Sequence, residues 1–293
     1  MTSVKWCSAM DIYLLEAIIN GLLLGGVLAL LALGLNLIFG VIDVVWIAYA
    51  DLVMCGMYVV YWLHAGYGWP LPLAFLIAIL TVAGLGVLVH LLIIAPILGS
   101  APINQLLATG GLLYFLQSFA TLLFGTDFRN IGVRLPIIEL GDLFISFSRL
   151  IACAVALVGA VVLYLFLKRT YVGTAIRAIS QDRDVMGLMG VDQRTIYIAT
   201  SAIGGALAGL GACLLALQYD VHPFIGNTFG PLVFMICVLG GLGNMIGGFI
   251  ASFIISQIIS IGGYYASTEW AYVLAFMLFI VLMFICPRGI LAR

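Results

Sequence analysis

Two carboxylates, Asp43 and Asp51, bracket the stretch VVWIAYA inside a long apolar run, and there the sequence first offers chemistry. An acid in apolar surroundings is costly unless a proton, a cation or a dipole compensates it, so such residues mark solute or ion paths. On a helix, Asp43, Trp46, Tyr49 and Ala50 lie three to four residues apart and share one side. Two aromatic rings would then form a constriction beside the acids, or else Trp46 and Tyr49 would anchor the chain among lipid headgroups. Asp51 is placed to cap the helix that follows it. Asn36, Thr109, Gln117, Asn227 and Asn244 interrupt other apolar stretches. Gln117, in mid-run, needs an interhelical partner or a water-filled path, with a partner side chain the favoured role. Asn36, Asp43, Trp46, Tyr49, Asp51, Gln117 and Asn244 make up the candidate translocation lining.

Catalytic patterns are missing. The chain carries no H-E-x-x-H, no nucleophile elbow and no G-x-x-x-x-G-K-[ST] phosphate loop, so neither an enzyme nor an ATP site is expected within it. Cys7, Cys55, Cys153, Cys213, Cys237 and Cys286 are scattered without a C-x-x-C pair and read as small core residues. His90 and His222 lack neighbouring ligands and are read as structural or exposed, with no metal expected.

The elements that must position these residues follow from composition. The 293 residues are 65% hydrophobic and 8% charged, with a mean hydropathy of +1.28, whereas soluble domains carry roughly a quarter charged residues. Apolar runs of membrane-spanning length recur, and spanning segments in lipid are helical because lipid offers backbone groups no partners. An all-α polytopic transmembrane bundle of eight to ten crossings is predicted as a single domain, 1–293. Residues 52–64 and 229–239 are short for a full crossing and read as broken or half-helices. The first residues lack the pattern of a cleaved signal, so the first helix is expected to remain. A net charge of −1 without basic blocks argues against nucleic acid as a partner.

Small residues form ladders at Gly204, Gly205, Ala208, Gly209 and Ala212, and at Gly240, Gly241, Gly243, Gly247 and Gly248, the pattern of tightly packed membrane helices. A Gly-rich helix followed by an irregular segment occurs at 21–51 and loosely again at 203–248, as in transporters with internal repeats. Pro223, Gly226 and Pro231 mark breaks within the second of these.

Residues 168–195 form a polar island. Lys168, Arg169, Arg177, Asp182, Arg183, Asp184, Asp192 and Arg194 are eight of the chain's charged side chains, which number only 11 basic and 12 acidic in all. Its basic half, with Arg288 and Arg293, assigns this end to the cytoplasm, which leaves 125–148 outside. Two short helices are expected, at 174–179 and 185–189, with Asp182 as N-cap of the second and Gly190 ending it. Ile176, Ile179, Met186 and Met189 supply apolar ridges beside charged faces, which suit either a soluble partner or packing onto the rest of the chain.

The stretch RTYVGTAIRAISQDRDVMGLMGVD resembles the coupling loop of the permease subunits of branched-chain amino-acid ABC importers, Liv-type H subunits. The matching residues are Gly173, Ala175, Arg177 and Ala178, then Asp182, then Gly187, Leu188, Gly190 and Val191. VLGGLGNMIGGFIAS, CPRGILAR, NQLLATGGLLYFLQSFATLLFG and LGLNLIFGVIDVVWIAYADLVMCGMYV are similar to further segments of that family, in the same order. The resemblance implies half of a translocation pathway in the bacterial inner membrane. On that resemblance it would pair with a second, related permease subunit, two cytoplasmic ATP-binding subunits that hold ATP and Mg, and a periplasmic solute-binding protein. Gly173, Ala175, Arg177, Ala178, Asp182, Arg183, Leu188 and Gly190 would then couple to the ATPase. The chain departs from the family's N-x-A-H-G-[ED]: Trp46, Tyr49 and Ala50 stand where Asn, His and Gly are usual, and Asp51 keeps the acid. The implied solute is small and polar, of the branched-chain amino acid or amide type. The aromatic exchanges point away from a plain aliphatic amino acid, toward urea, short amides or small aromatic or carboxylic acids. A different class, an ion-coupled transporter or channel using Asp43 and Asp51, is distinguished by transport without ATP.

Overall fold

The structure, a computed structural model, describes residues 2–133, 136–140, 143–183, 186, 189–286 and 289–290. Asp184, Gly187, Leu188, Arg288 and Arg293, named above, lie outside the described residues, and with them most of the second short helix expected at 185–189.

Apolar runs become helices: α1 (Thr2–Ile42), α2 (Tyr49–Tyr61), α3 (Leu71–Val89), α4 (Pro102–Phe124), α5 (Phe147–Arg169), α6 (Tyr171–Ile179), α7 (Gln193–Ala216), α8 (Ile225–Gly240), α9 (Met245–Tyr265) and α10 (Thr268–Ile285). α3 continues through one π-turn, His90–Ile94, into Ala95–Ile97. Among the described residues, six helices are long and apolar enough to cross a membrane, and α8 and most of α10 are shorter apolar helices. Between α4 and α5, strands β1 (Ile137–Leu140) and β2 (Leu143–Ser146) pair antiparallel, a small hairpin in an otherwise helical fold.

The two halves repeat. α1 packs along α9 as α3 packs along α7, the α2–α3 pair is matched by α8–α9, and α2 meets α7 as α8 meets α1. α1 runs alongside α5 in the same direction, Gly26 facing Cys153 and Leu30 facing Gly159, and the turn through α6 sends α7 back the other way. The repeat unit α1–α4 therefore returns as α7–α10 with inverted direction, an arrangement typical of transporters. Close helix approach carries both copies: Gly205 lies against the Val82 carbonyl and Gly86, and Gly240 against Gly247 and Gly248, where a Cβ would overlap backbone. The core gathers around α1, α2, α7 and α8, whereas α3, α4, α5 and α10 expose large apolar side chains such as Leu122, Val161 and Phe284.

Candidate translocation site

Residues 43–48 break the chain between α1 and α2. Asp43 has a φ of 59°, the one left-handed non-glycine among the described residues, and regular helix resumes only at Tyr49. Asp43, Trp46, Tyr49 and Ala50 therefore do not share a helical face, and the stretch is the irregular segment expected at the end of 21–51. The exposed backbone of the break is satisfied from outside: the Thr109 hydroxyl donates to the Val45 carbonyl at 2.9 Å. Irregular backbone at membrane depth persists only when protein surrounds it.

The two rings turn inward. Trp46 is 1% and Tyr49 2% exposed, their rings meet edge-to-face at 6.2 Å, and the Tyr49 hydroxyl donates to the Gly204 carbonyl at 3.2 Å. Gly204 lies midway along α7. In this conformation both rings are part of the chain's interior rather than anchors at a headgroup surface.

Asp51 does not cap α2. Ala48 holds the cap position without a side-chain bond, and Asp51 sits in the first helical turn. Its carboxylate, 1% exposed, accepts from Gln117 Nε2 at 3.0 Å, and the same nitrogen donates to Asn227 Oδ1 at 2.8 Å. Asn227 lies in the first turn of α8. The neighbouring Gly226 packs so tightly on Asp51 that a Cβ there would lie 2.5 Å from Oδ1. The N-terminal turns of two short helices from opposite halves thus meet at one buried carboxylate. Each helix start carries partial positive charge, and Gln117 adds an amide donor, so the acid is compensated without a Lys or Arg in ion-pair reach among the described residues. Asn227 was legible only as a polar interruption; its signal was its place just after the break at Pro223, matching that of Asp51 after its own break.

The remaining candidates lie elsewhere. Asn36, fully buried, accepts from the Gly243 amide at 3.2 Å, while its Nδ2 has no hydrogen-bond partner and touches the space a Gly248 side chain would need. Asn244 caps α9 by accepting from the Gly247 amide at 3.1 Å. Asp43 is exposed at the α6 end of the bundle and pairs with Arg183. Of the translocation candidates, Asp51 and Gln117 bond each other directly.

At that same end, α6 is capped by Thr170, whose hydroxyl accepts from the Gly173 amide at 3.0 Å. Gly173, Ala175, Ile176 and Ile179 face inward, and Arg177 is exposed. Gly173 has backbone reasons: a Cβ would collide with Leu167 and the Phe166 carbonyl. Asp182 is exposed, Ala178 is half-buried, and Gly190 adopts a φ of 78° in the turn before Asp192 caps α7. Leu188 lies outside the described residues.

A family profile described as Branched-chain amino acid transport system / permease component matches residues 17–283. The chain belongs to this family. This permease is 29% identical to the high-affinity branched-chain amino acid transport system permease protein LivH of Escherichia coli K12, over 96% of both chains. It is likewise 29% identical to BraD of Pseudomonas aeruginosa, over 95% of this chain and 96% of that protein. Among solved structures, it is similar to PsaBC from Streptococcus pneumoniae in complex with Fab, at 17% identity and a TM-score of 0.47, covering 95% of this chain and 92% of that one. As a branched-chain-type permease, this protein is a multi-pass membrane transport component.

Proposed function

We propose that this permease forms one half of the translocation pathway of an ATP-driven importer for a small polar solute of the branched-chain amino acid type. The observation that carries the reading is the meeting of the α2 and α8 N-termini on Asp51, Gln117 and Asn227, the arrangement by which transporters hold polar groups near the middle of the bilayer. Tyr49 and Trp46, buried in the core, are no longer a reason to prefer urea, amides or aromatic acids as the solute. α6 and its flanks, with Arg177, Asp182 and Arg183, are the docking element for one of two ATP-binding subunits. Those partners bind ATP and magnesium. A second, related permease subunit completes the pathway, and a periplasmic solute-binding protein delivers the solute. The α6 end lies in the cytoplasm of a bacterial inner membrane, residues 125–148 outside it.

The test is uptake of labelled leucine into proteoliposomes. Expected is uptake only with both permeases, the ATP-binding subunits, the binding protein and ATP together. Uptake by this chain alone, driven by an ion gradient, would sink the reading in favour of a secondary transporter.

A further inference from the structure

Between α5, α6 and the turn that leads into α9 lies a cavity of about 700 Å³. Lys168, Arg177 and Gln181 stand on its walls beside Tyr164 and the 241–246 turn. Lys168 belongs to the last turn of α5, a 23-residue helix. At 1.5 Å per residue such a helix spans about 35 Å, longer than a hydrocarbon core of about 30 Å, so the ammonium reaches headgroup level. Its Nζ lies 5.8 Å from the centre of the Tyr164 ring. Neither Lys168 nor Arg177 has a carboxylate in ion-pair reach among the described residues. Two uncompensated cations converging on one cavity favour an anion.

The cavity does not end there. A second, almost wholly apolar groove of about 270 Å³ shares Tyr164, Met245 and Ile246 with it and continues along Leu157, Val161 and Phe249. Val161 and Ile246 are 57% and 65% exposed, an apolar surface suited to the hydrocarbon of the bilayer. A cationic pocket at headgroup depth that opens into an apolar channel toward the bilayer middle has the chemistry of a phospholipid.

We propose that this groove is a binding site for an anionic phospholipid of the adjacent leaflet. Its phosphate engages Lys168 and Arg177, and an acyl chain lies along Val161, Ile246 and Phe249. Bound there, the lipid bridges α6 and the start of α9, bracing the docking element against the bundle. A soluble phosphate would leave the apolar groove unused, and an acidic side chain of a cytoplasmic protein would not reach down it.

Native mass spectrometry of the full-length chain, in detergent with phosphatidylglycerol and phosphatidylcholine added in equal amounts, tests this. Expected is preferential retention of phosphatidylglycerol, falling on the order of fivefold for each cation removed in Lys168→Gln and Arg177→Gln. Arg194→Gln, a cation outside the cavity, should leave the preference intact, and Val161→Trp should weaken retention of phosphatidylglycerol by filling the groove. Equal retention of the two lipids by the unaltered chain overturns the proposal without reference to any variant. So does competition by glycerol phosphate as effective as that of the lipid, which would make this a free-phosphate site. Loss of ATP-binding subunits in the Lys168→Gln, Arg177→Gln double variant with the lipid preference unchanged would assign the cations to a protein partner and overturn it too.

Discussion

Asp43 Oδ2 lies 3.7 Å from Arg183 Nη2, joining the break between α1 and α2 to the polar stretch that follows α6. Both side chains reach solvent, at 64% and 37% exposure, so the pair contributes at most about 1 kcal/mol to stability. Its geometry matters more than its energy. Asp43 opens the broken segment that leads to Trp46, Tyr49 and Asp51, and Arg183 lies beside the element proposed to dock the ATPase.

Exchanging the two charges tests that link. Asp43→Arg should lower ATP-coupled uptake several-fold with little loss of thermal stability, and Asp43→Arg combined with Arg183→Asp should recover most of it. A double variant no better than the single one would show that the pair transmits nothing.

The φ of Asp43 makes a separate claim. Left-handed backbone costs an L-residue with a Cβ about 1–2 kcal/mol, and glycine nothing comparable. Asp43→Gly and Asp43→Ala both lose the ion pair, yet the glycine variant should melt at the higher temperature. The reverse order, read by differential scanning fluorimetry of the purified permease, would contradict the assigned conformation.

Removing the amide that serves Asp51 should be more damaging than removing the acid. Gln117→Leu strips the carboxylate and Asn227 of a donor at once, at a cost of about 2–4 kcal/mol. Asp51→Asn keeps a polar group of the same shape and should cost less. Thermal melts in detergent rank the two, and uptake assays should show both impaired.

Gly173→Leu should dislodge α6, because a side chain there has only the Leu167 and Phe166 backbone to enter. Overpacking of this kind costs about 1–3 kcal/mol. The expected result is a permease that inserts and purifies but no longer pulls down its ATP-binding subunits; normal association would remove α6 as the docking element.

The delivered solute is read most directly on the binding protein. Tight binding of leucine, isoleucine or valine in titration calorimetry, with urea and benzoate inert, is the expected outcome. The opposite pattern would restore the significance of the Trp46 and Tyr49 exchanges.

Much of this was legible from order and composition. Long apolar runs in a chain with 8% charge admit little except spanning helices, and the motif order from 33 to 293 already pointed to the family. The small-residue ladders likewise announced close packing, since only glycine lets backbone meet backbone as Gly240 and Gly247 do. The irregular segment expected at the end of 21–51 is there, but whether Asp43 and Tyr49 share a helix stayed open in the sequence, because apolar periodicity carries no record of a break whose backbone is satisfied by a distant hydroxyl, that of Thr109. The same blindness made Asp51 look like a cap and kept a headgroup-anchor role open for Tyr49, which is buried.

By itself, then, the sequence determined a polytopic helical permease with one charged end, because hydropathy and charge are local properties that the bilayer sorts directly. Tertiary structure alone decided that Asp51, Gln117 and Asn227 meet, that Asp43 faces Arg183 instead, and that two aromatic rings close the core. Asp51 and Gln117 stand 66 positions apart, Gln117 and Asn227 110, and Tyr49 and its partner Gly204 155. Their encounter depends on how inverted halves pack across each other, which no local pattern encodes.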